Sequence, residues 1–247
     1  MNIIIPIAGA NKISNETEYI KSLQEVERKT ILQYVFESLQ SVETDHFVVV
    51  LKRADATKYH LDNIARLLRP GAEIVIAENE TMGAACTCML AVDKLDMEDP
   101  LLITGSDQIL LVPPEQILAD FQANDYDGGV AIFDDVHPRW SYVRLDENDF
   151  VVEAAEKRPI SRNAVAGFYY FKKARYFFDA AQEMIRKNAN VDGNFFICPT
   201  FNEMILKQQT IGIYRIEKAQ YYNFSHPSGI EAYKAYLATE KDRRNNK

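Results

Sequence analysis

Apolar residues run almost unbroken through residues 2–8, and a second, β-branched run fills residues 46–51. Such runs mark strands buried on both faces of a parallel sheet. Between them Ile31, Leu32, Val35, Phe36 and Leu39 recur at helical spacing within residues 30–39, so the order strand, loop, helix, strand predicts a βαβ unit. The pattern continues with a helix over 55–68, a strand over 73–77, a helix over 83–95, a strand over 100–104 and a helix started by Pro113-Pro114. The first half therefore reads as a Rossmann-like, doubly wound α/β sheet.

Past Asp127 the pattern changes. Residues 128–133, 141–145, 151–155 and 164–171 are strand-like and closely spaced, which predicts a mixed or antiparallel extension. Helices over 174–187 and 195–207, a strand over 210–216 and a helix over 228–239 follow. Residues 241–247 read as a charged, frayed tail. With no internal repeat and no Pro/Gly/Ser-rich linker, residues 1–240 are expected to form one domain with two functional halves, 1–126 and 127–240.

Composition narrows the function. Across 247 residues, 47% are hydrophobic and 26% charged, with a formal net charge of −8, which suits a globular protein and excludes a basic nucleic-acid scaffold. Residues 1–6 lack the features of a signal peptide, and no apolar run reaches the ~20 residues of a membrane helix. Three cysteines, Cys86, Cys88 and Cys198, then read as reduced thiols in a cytoplasmic compartment. Cys86 and Cys88, two apart in a helical stretch, read as small core residues.

Three stretches carry chemistry. The loop after the first strand holds Gly9, Ala10, Asn11 and Lys12, and later Lys21. Ligands of open α/β sheets bind beyond the carboxyl ends of strands, where a glycine admits a phosphate and lysines supply charge; a solvated surface loop is the alternative. Gly105-Ser106-Asp107 follows a buried strand, where Asp107 can hold a hard divalent cation through oxygen or serve as an ordinary turn residue. Glu156-Lys157-Arg158-Pro159 ends a strand; its cations suit a phosphate, or it is a solvated charge run. His137 and His226, each beside a loop proline, receive no catalytic role.

In this order and spacing the stretches resemble the sugar-phosphate nucleotidyltransferases, particularly the short bacterial members of capsule and lipopolysaccharide synthesis, over nearly the whole chain. The opening strand through Ala8 and Gly9 is similar to the family's nucleotide loop, with Lys21 at the place of its lysine. Gly83-Ala84-Ala85 resembles the segment near base and ribose. Gly105-Ser106-Asp107 resembles the metal-binding turn, Glu156-Lys157-Arg158-Pro159 the Glu-Lys-Pro motif that contacts the acceptor, and Gly167-Phe168-Tyr169-Tyr170-Phe171 the Gly-x-Tyr-x-Phe strand. Tyr221-Tyr222-Asn223 falls where the family has an aromatic followed by a second metal ligand. The loop departs from the family's Gly-x-Gly-x-Arg and Pro-Lys: Asn11 stands for the second glycine, no arginine follows, and Ile20 precedes Lys21.

The resemblance implies a nucleotide-diphospho-sugar transferase fold, with residues 1–126 binding nucleotide and 127–240 binding acceptor. It implies transfer of a nucleoside monophosphate from a nucleoside triphosphate to a sugar 1-phosphate or another phosphorylated small molecule, with release of pyrophosphate. Mg²⁺ (or Mn²⁺) would sit on Asp107 and Asn223. Lys21, Asp107 and Lys157 would be catalytic. Ala8, Gly9, Ala10, Asn11, Lys12, Glu78, Gly83, Ala84 and Ser106 would bind nucleotide, and Trp140, Tyr142, Glu156, Arg158, Gly167 and Asn194 would bind acceptor. Neither nucleic acid nor a membrane is an expected partner, and a homo-oligomer stays open. Two rivals remain: a noncatalytic relative with a decayed loop, and a glycosyltransferase, for which a single Asp107 flanked by Ser106 and Gln108 lacks the Asp-x-Asp motif.

Overall fold

The computed structural model describes residues 1–8 and 20–245. The strands are β1 (Asn2–Pro6), β2 (Glu25–Val26), β3 (Lys29–Thr30), β4 (His46–Lys52), β5 (Glu73–Ala77), β6 (Leu101–Thr104), β7 (Gln108–Leu110), β8 (Gly128–Asp134), β9 (Ser141–Leu145), β10 (Val151–Glu156), β11 (Asn163–Phe171), β12 (Ile211–Arg215) and β13 (Tyr221–Asn223). The helices are α1 (Ile31–Ser38), α2 (Arg53–Tyr59), α3 (Leu61–Leu68), α4 (Ala84–Met89), α5 (Pro114–Ala123), α6 (Ala174–Arg186), α7 (Thr200–Leu206) and α8 (Pro227–Asn245).

Among the described residues, nine strands form one sheet in the order β10-β9-β11-β6-β1-β4-β5, with β8 paired to β11 and β12 paired to β8. Strands β6, β1, β4 and β5 are parallel, while β11 runs antiparallel to β6. The change of direction falls where the sequence pattern changes. Alternation along β1 sends Ile3 and Ile5 into one apolar cluster and Ile4 into another, so the sheet is covered on both faces, as its unbroken apolar runs require. This is the expected mixed, doubly wound α/β architecture.

Several boundaries differ from the sequence reading, each for a local reason. The helix expected over 55–68 is two helices, because His60 takes a left-handed conformation at φ 53°. The helix expected over 83–95 stops at Met89 and is followed by a 3-10 turn at Val92–Lys94. The helix expected over 195–207 begins at Thr200, since Phe195 spends its backbone on the segment before α4: its N–H donates to Met82 at 2.8 Å and its carbonyl accepts from Ala85 at 3.0 Å. The tail is helical to Asn245 rather than frayed from residue 241. Among the described residues no helix is long and apolar enough to cross a membrane.

Candidate active site

The turn Gly105-Ser106-Asp107 leaves β6 at its carboxyl end and enters β7, which pairs antiparallel with β13. The Phe224 N–H donates to the Asp107 carbonyl at 2.7 Å, so this ribbon fixes the turn. Here lies a crevice of about 270 Å³, bounded by Pro6 at the end of β1 and Ile7 just past it, by Lys21 and Ala84, by the turn itself, and by Gly167, Tyr169 and Ile197. It opens beyond strand carboxyl ends, where ligands of such sheets bind. A Cβ on Gly105 would stand 3.3 Å from Asp107 Oδ1, so the missing side chain leaves the carboxylate room. Burial pushes the Asp107 carboxyl above its usual range, and the Lys21 charge and its own backbone amide pull partly back. A desolvated carboxylate opposed by a single ammonium favours a cation at this spot.

The wall beside Asp107 is a buried polar network. Gln108 Nε2 donates to the Gly167 carbonyl at 2.7 Å and to Thr104 Oγ1 at 3.2 Å, while its Oε1 accepts from the Tyr221 hydroxyl at 3.2 Å. Asn223 Nδ2 donates to the Tyr221 oxygen at 3.4 Å. Gly167, at φ +64°, leaves space for the amide, since a Cβ there would lie 2.7 Å from Gln108 Cδ. Gln108 thus ties β6, β11 and β13 together directly under the crevice.

At the far side Glu156 ends β10 opposite Ser141, whose hydroxyl donates to Glu156 Oε2. Burial raises the Glu156 carboxyl, and the Ser141 hydroxyl and Lys157 oppose the shift. The Tyr169 hydroxyl and Cys198 thiol face the same Ser141 side chain, and burial holds both well above their ordinary values. Lys157 is exposed, with φ 52°. Its N–H donates to the Trp140 carbonyl at 3.0 Å, and its ammonium lies 5.0 Å from the centre of the Phe196 ring.

A family model described as nucleotidyl transferase matches residues 16–209, well over half of the chain. The chain belongs to the nucleotidyl transferase family. No curated protein is a significant sequence match. Among solved structures, this nucleotidyl transferase is similar to a nucleoside-diphosphate-sugar pyrophosphorylase from Vibrio cholerae, at 20% identity and TM-score 0.80, covering 94% of this chain and 99% of the other. A UDP-glucose pyrophosphorylase complexed with UDP-glucose matches at 15% identity and TM-score 0.75, covering 96% and 98%. An inositol-1-phosphate CTP transferase from T. maritima matches at 12% identity and TM-score 0.72, covering 94% of each chain. At these identities the likeness establishes the nucleotide-diphospho-sugar transferase fold.

Of the residues singled out from the sequence, the nucleotidyl transferase brings Lys21, Ala84, Ser106, Asp107 and Gly167 into the crevice. Ala8 is fully buried just past β1. Gly83, at φ +100°, packs against the Phe195 backbone, where a Cβ would lie 2.7 Å from its nitrogen. Gly9, Ala10, Asn11 and Lys12 lie outside the described residues. Glu78 is exposed and paired with Arg53 at 2.9 Å, and Arg158 is exposed and paired with Glu153 at 3.1 Å. Tyr142 is fully buried, its hydroxyl donating to the His137 carbonyl at 2.7 Å. Asn194 shapes a turn through the Asp192 carbonyl at 3.0 Å. Trp140 and Asn223 line a second cavity with Tyr221, and Asn223 Oδ1 accepts from the Ser225 N–H at 3.0 Å. Gln108 had no signal in the sequence beyond its place next to Asp107, because its partners Gly167 and Tyr221 are distant along the chain.

The donor set has room for a divalent cation. Among the described residues no group of three or more His, Cys, Asp or Glu side chains gathers at one point, so the site is no closed protein cage. Mg²⁺ characteristically needs only one or two carboxylates, with substrate phosphates and water completing its shell. Asp107 fits that role as a desolvated, acceptor-only group. Asn223 fits as a second ligand only by releasing Ser225.

Proposed function

We propose that the Asp107 crevice transfers a nucleoside monophosphate from a nucleoside triphosphate to a sugar 1-phosphate or a related phosphorylated small molecule, releasing pyrophosphate, as a supply step for surface polysaccharide. The observation that carries this reading is the desolvated Asp107 carboxylate facing Lys21 at the carboxyl ends of β1 and β6 in a nucleotidyl transferase. A phosphate oxygen of the acceptor forms a bond to the α-phosphorus while the bond from that phosphorus to the β-phosphate oxygen breaks, and pyrophosphate carries away the electron pair. The acceptor phosphate is largely dianionic at neutral pH, so the reaction needs no general base.

What the chain supplies is alignment of two anions and neutralisation of their charge. Lys21 steadies the α-phosphate, and Lys157 holds the acceptor phosphate from the opposite side. Glu156, its carboxyl raised by burial and fixed by Ser141, can accept from acceptor hydroxyls. Asp107 would hold Mg²⁺, which when bound would supply charge neutralisation for the triphosphate. A glycosyltransferase reading is weaker, because Gln108 beside Asp107 is committed to Gly167, Thr104 and Tyr221.

The test is pyrophosphate release by purified protein with Mg²⁺, each nucleoside triphosphate in turn, and a panel of sugar 1-phosphates and phospho-alcohols. The reading expects release with at least one pair, dependent on both substrates. Silence with every pair, together with no triphosphate binding by calorimetry, rejects it.

A further inference from the structure

A second cavity, of about 480 Å³, is lined by Phe133, Arg139, Trp140, Lys218 and Tyr221 among others. Tyr221 stands between the two cavities, because its ring lines this one while its hydroxyl bonds Gln108, which lines the Asp107 crevice. The aromatic side is a packed cluster of rings. Phe133 and Trp140 meet edge to face at 5.4 Å, Trp140 and Tyr221 lie 5.6 Å apart, and Phe133 and Tyr221 lie 4.9 Å apart. Asp135 locks the indole by accepting from Trp140 Nε1 at 3.0 Å, and the same carboxylate neutralises Lys218 at 2.9 Å.

Arg139 is the remaining charge. Its guanidinium lies 4.1 Å from the centre of the Trp140 ring, and among the described residues it has no carboxylate partner. In a chain of net charge −8, an unpaired guanidinium fixed over an indole at a cavity is a local anion receptor, and its planar fork suits a carboxylate or phosphate bidentately. Because Arg139 is exposed, solvent screens its ion pair, which supplies the smaller share of the affinity. The larger part of any affinity must come from apolar area laid on the aromatic wall.

We propose that this cavity is a second binding site, for a small organic anion that sets a flat or apolar body against Trp140 and Tyr221 and a phosphate or carboxylate against Arg139. Its volume lies in the ordinary range for small-molecule sites. Its charge is opposite to that of Asp107, and it does not depend on the transfer chemistry at that residue.

Trp140 is the only tryptophan in the chain, so its emission reports on this cavity directly. The full chain is titrated with phenyl phosphate, with benzoate and with inorganic phosphate while that emission is followed. The proposal expects a saturable change with phenyl phosphate or benzoate, at least tenfold tighter than with inorganic phosphate; which of the two binds identifies the acidic group. Arg139→Ala weakens binding about three- to fivefold, as expected for an exposed ion pair, Arg139→Lys gives a smaller loss, and Asp107→Ala binds as the parent does. No saturable change with either aromatic anion overturns the proposal, as does unchanged binding in Arg139→Ala or loss of the response in Asp107→Ala. Arg139 is exposed, so its replacement leaves the fold intact.

Discussion

Gln108 donates to the Gly167 carbonyl at 2.7 Å, and the amide occupies the space that a side chain on residue 167 would need. The left-handed backbone at Gly167 adds a second reason for glycine. Gly167→Ala therefore costs about 2–4 kcal/mol, combining backbone strain with overlap. In denaturant unfolding, Gln108→Ala combined with Gly167→Ala is less destabilised than the sum of the two single variants, because removing the amide removes the overlap. Strict additivity would show that the two residues do not compete for one space.

Asp107 carries the opposite kind of strain. Its carboxyl is raised by burial, so the fold favours the neutral form. The resulting penalty is absent well below the ordinary aspartate value of about 3.9 and grows as pH rises through the folded value. Asp107→Asn then melts higher than the parent at pH 7, and the gap narrows as pH falls from the folded value toward 4 and closes below it. A melting point lowered at pH 7 contradicts the desolvated carboxylate.

Ser141 supports the charged form of Glu156 against burial. Removing its hydroxyl pushes the Glu156 carboxyl further up, so Ser141→Ala costs about 1.5–3 kcal/mol where Glu156 is ionised and less where it is protonated. Urea unfolding at pH 8 and at pH 4 measures the difference. An equal loss at both would mean that the hydroxyl serves packing alone.

Lys157 is exposed and held by backbone to Trp140, so its removal spares the fold. Lys157→Ala raises the acceptor KM by about tenfold or more, while the triphosphate KM changes by less than about twofold, as expected for a group that binds one substrate. Initial rates with each substrate varied in turn separate the two. A rise confined to the triphosphate KM would move Lys157 to the other half of the site.

The regular elements were legible because their signal is local. The strands at Glu73–Ala77 and Ser141–Leu145 follow from their alternating and β-branched composition alone. The break at His60 and the late start of α7 were not legible, since one depends on a single left-handed residue and the other on Phe195 pairing with Met82 and Ala85. Asp107 was legible as a polar residue past a buried strand. The ribbon of β7 and β13 that fixes it has only three residues a side. Its partners are separated by more than a hundred residues, as Tyr221 and Gln108 are, and no periodicity announces such a pairing. For the same reason the place of Trp140 and Asn223 on a second cavity emerges only in the folded chain.

The central claim is that Asp107 is the group on which nucleotidyl transfer depends. Pyrophosphate release, measured side by side for the parent and Asp107→Ala with the best substrate pair and Mg²⁺, tests it most directly. The account predicts a loss of at least about a thousandfold, on the scale of a lost electrostatic stabiliser, with a cooperative melt retained. Turnover within about tenfold of the parent would contradict it.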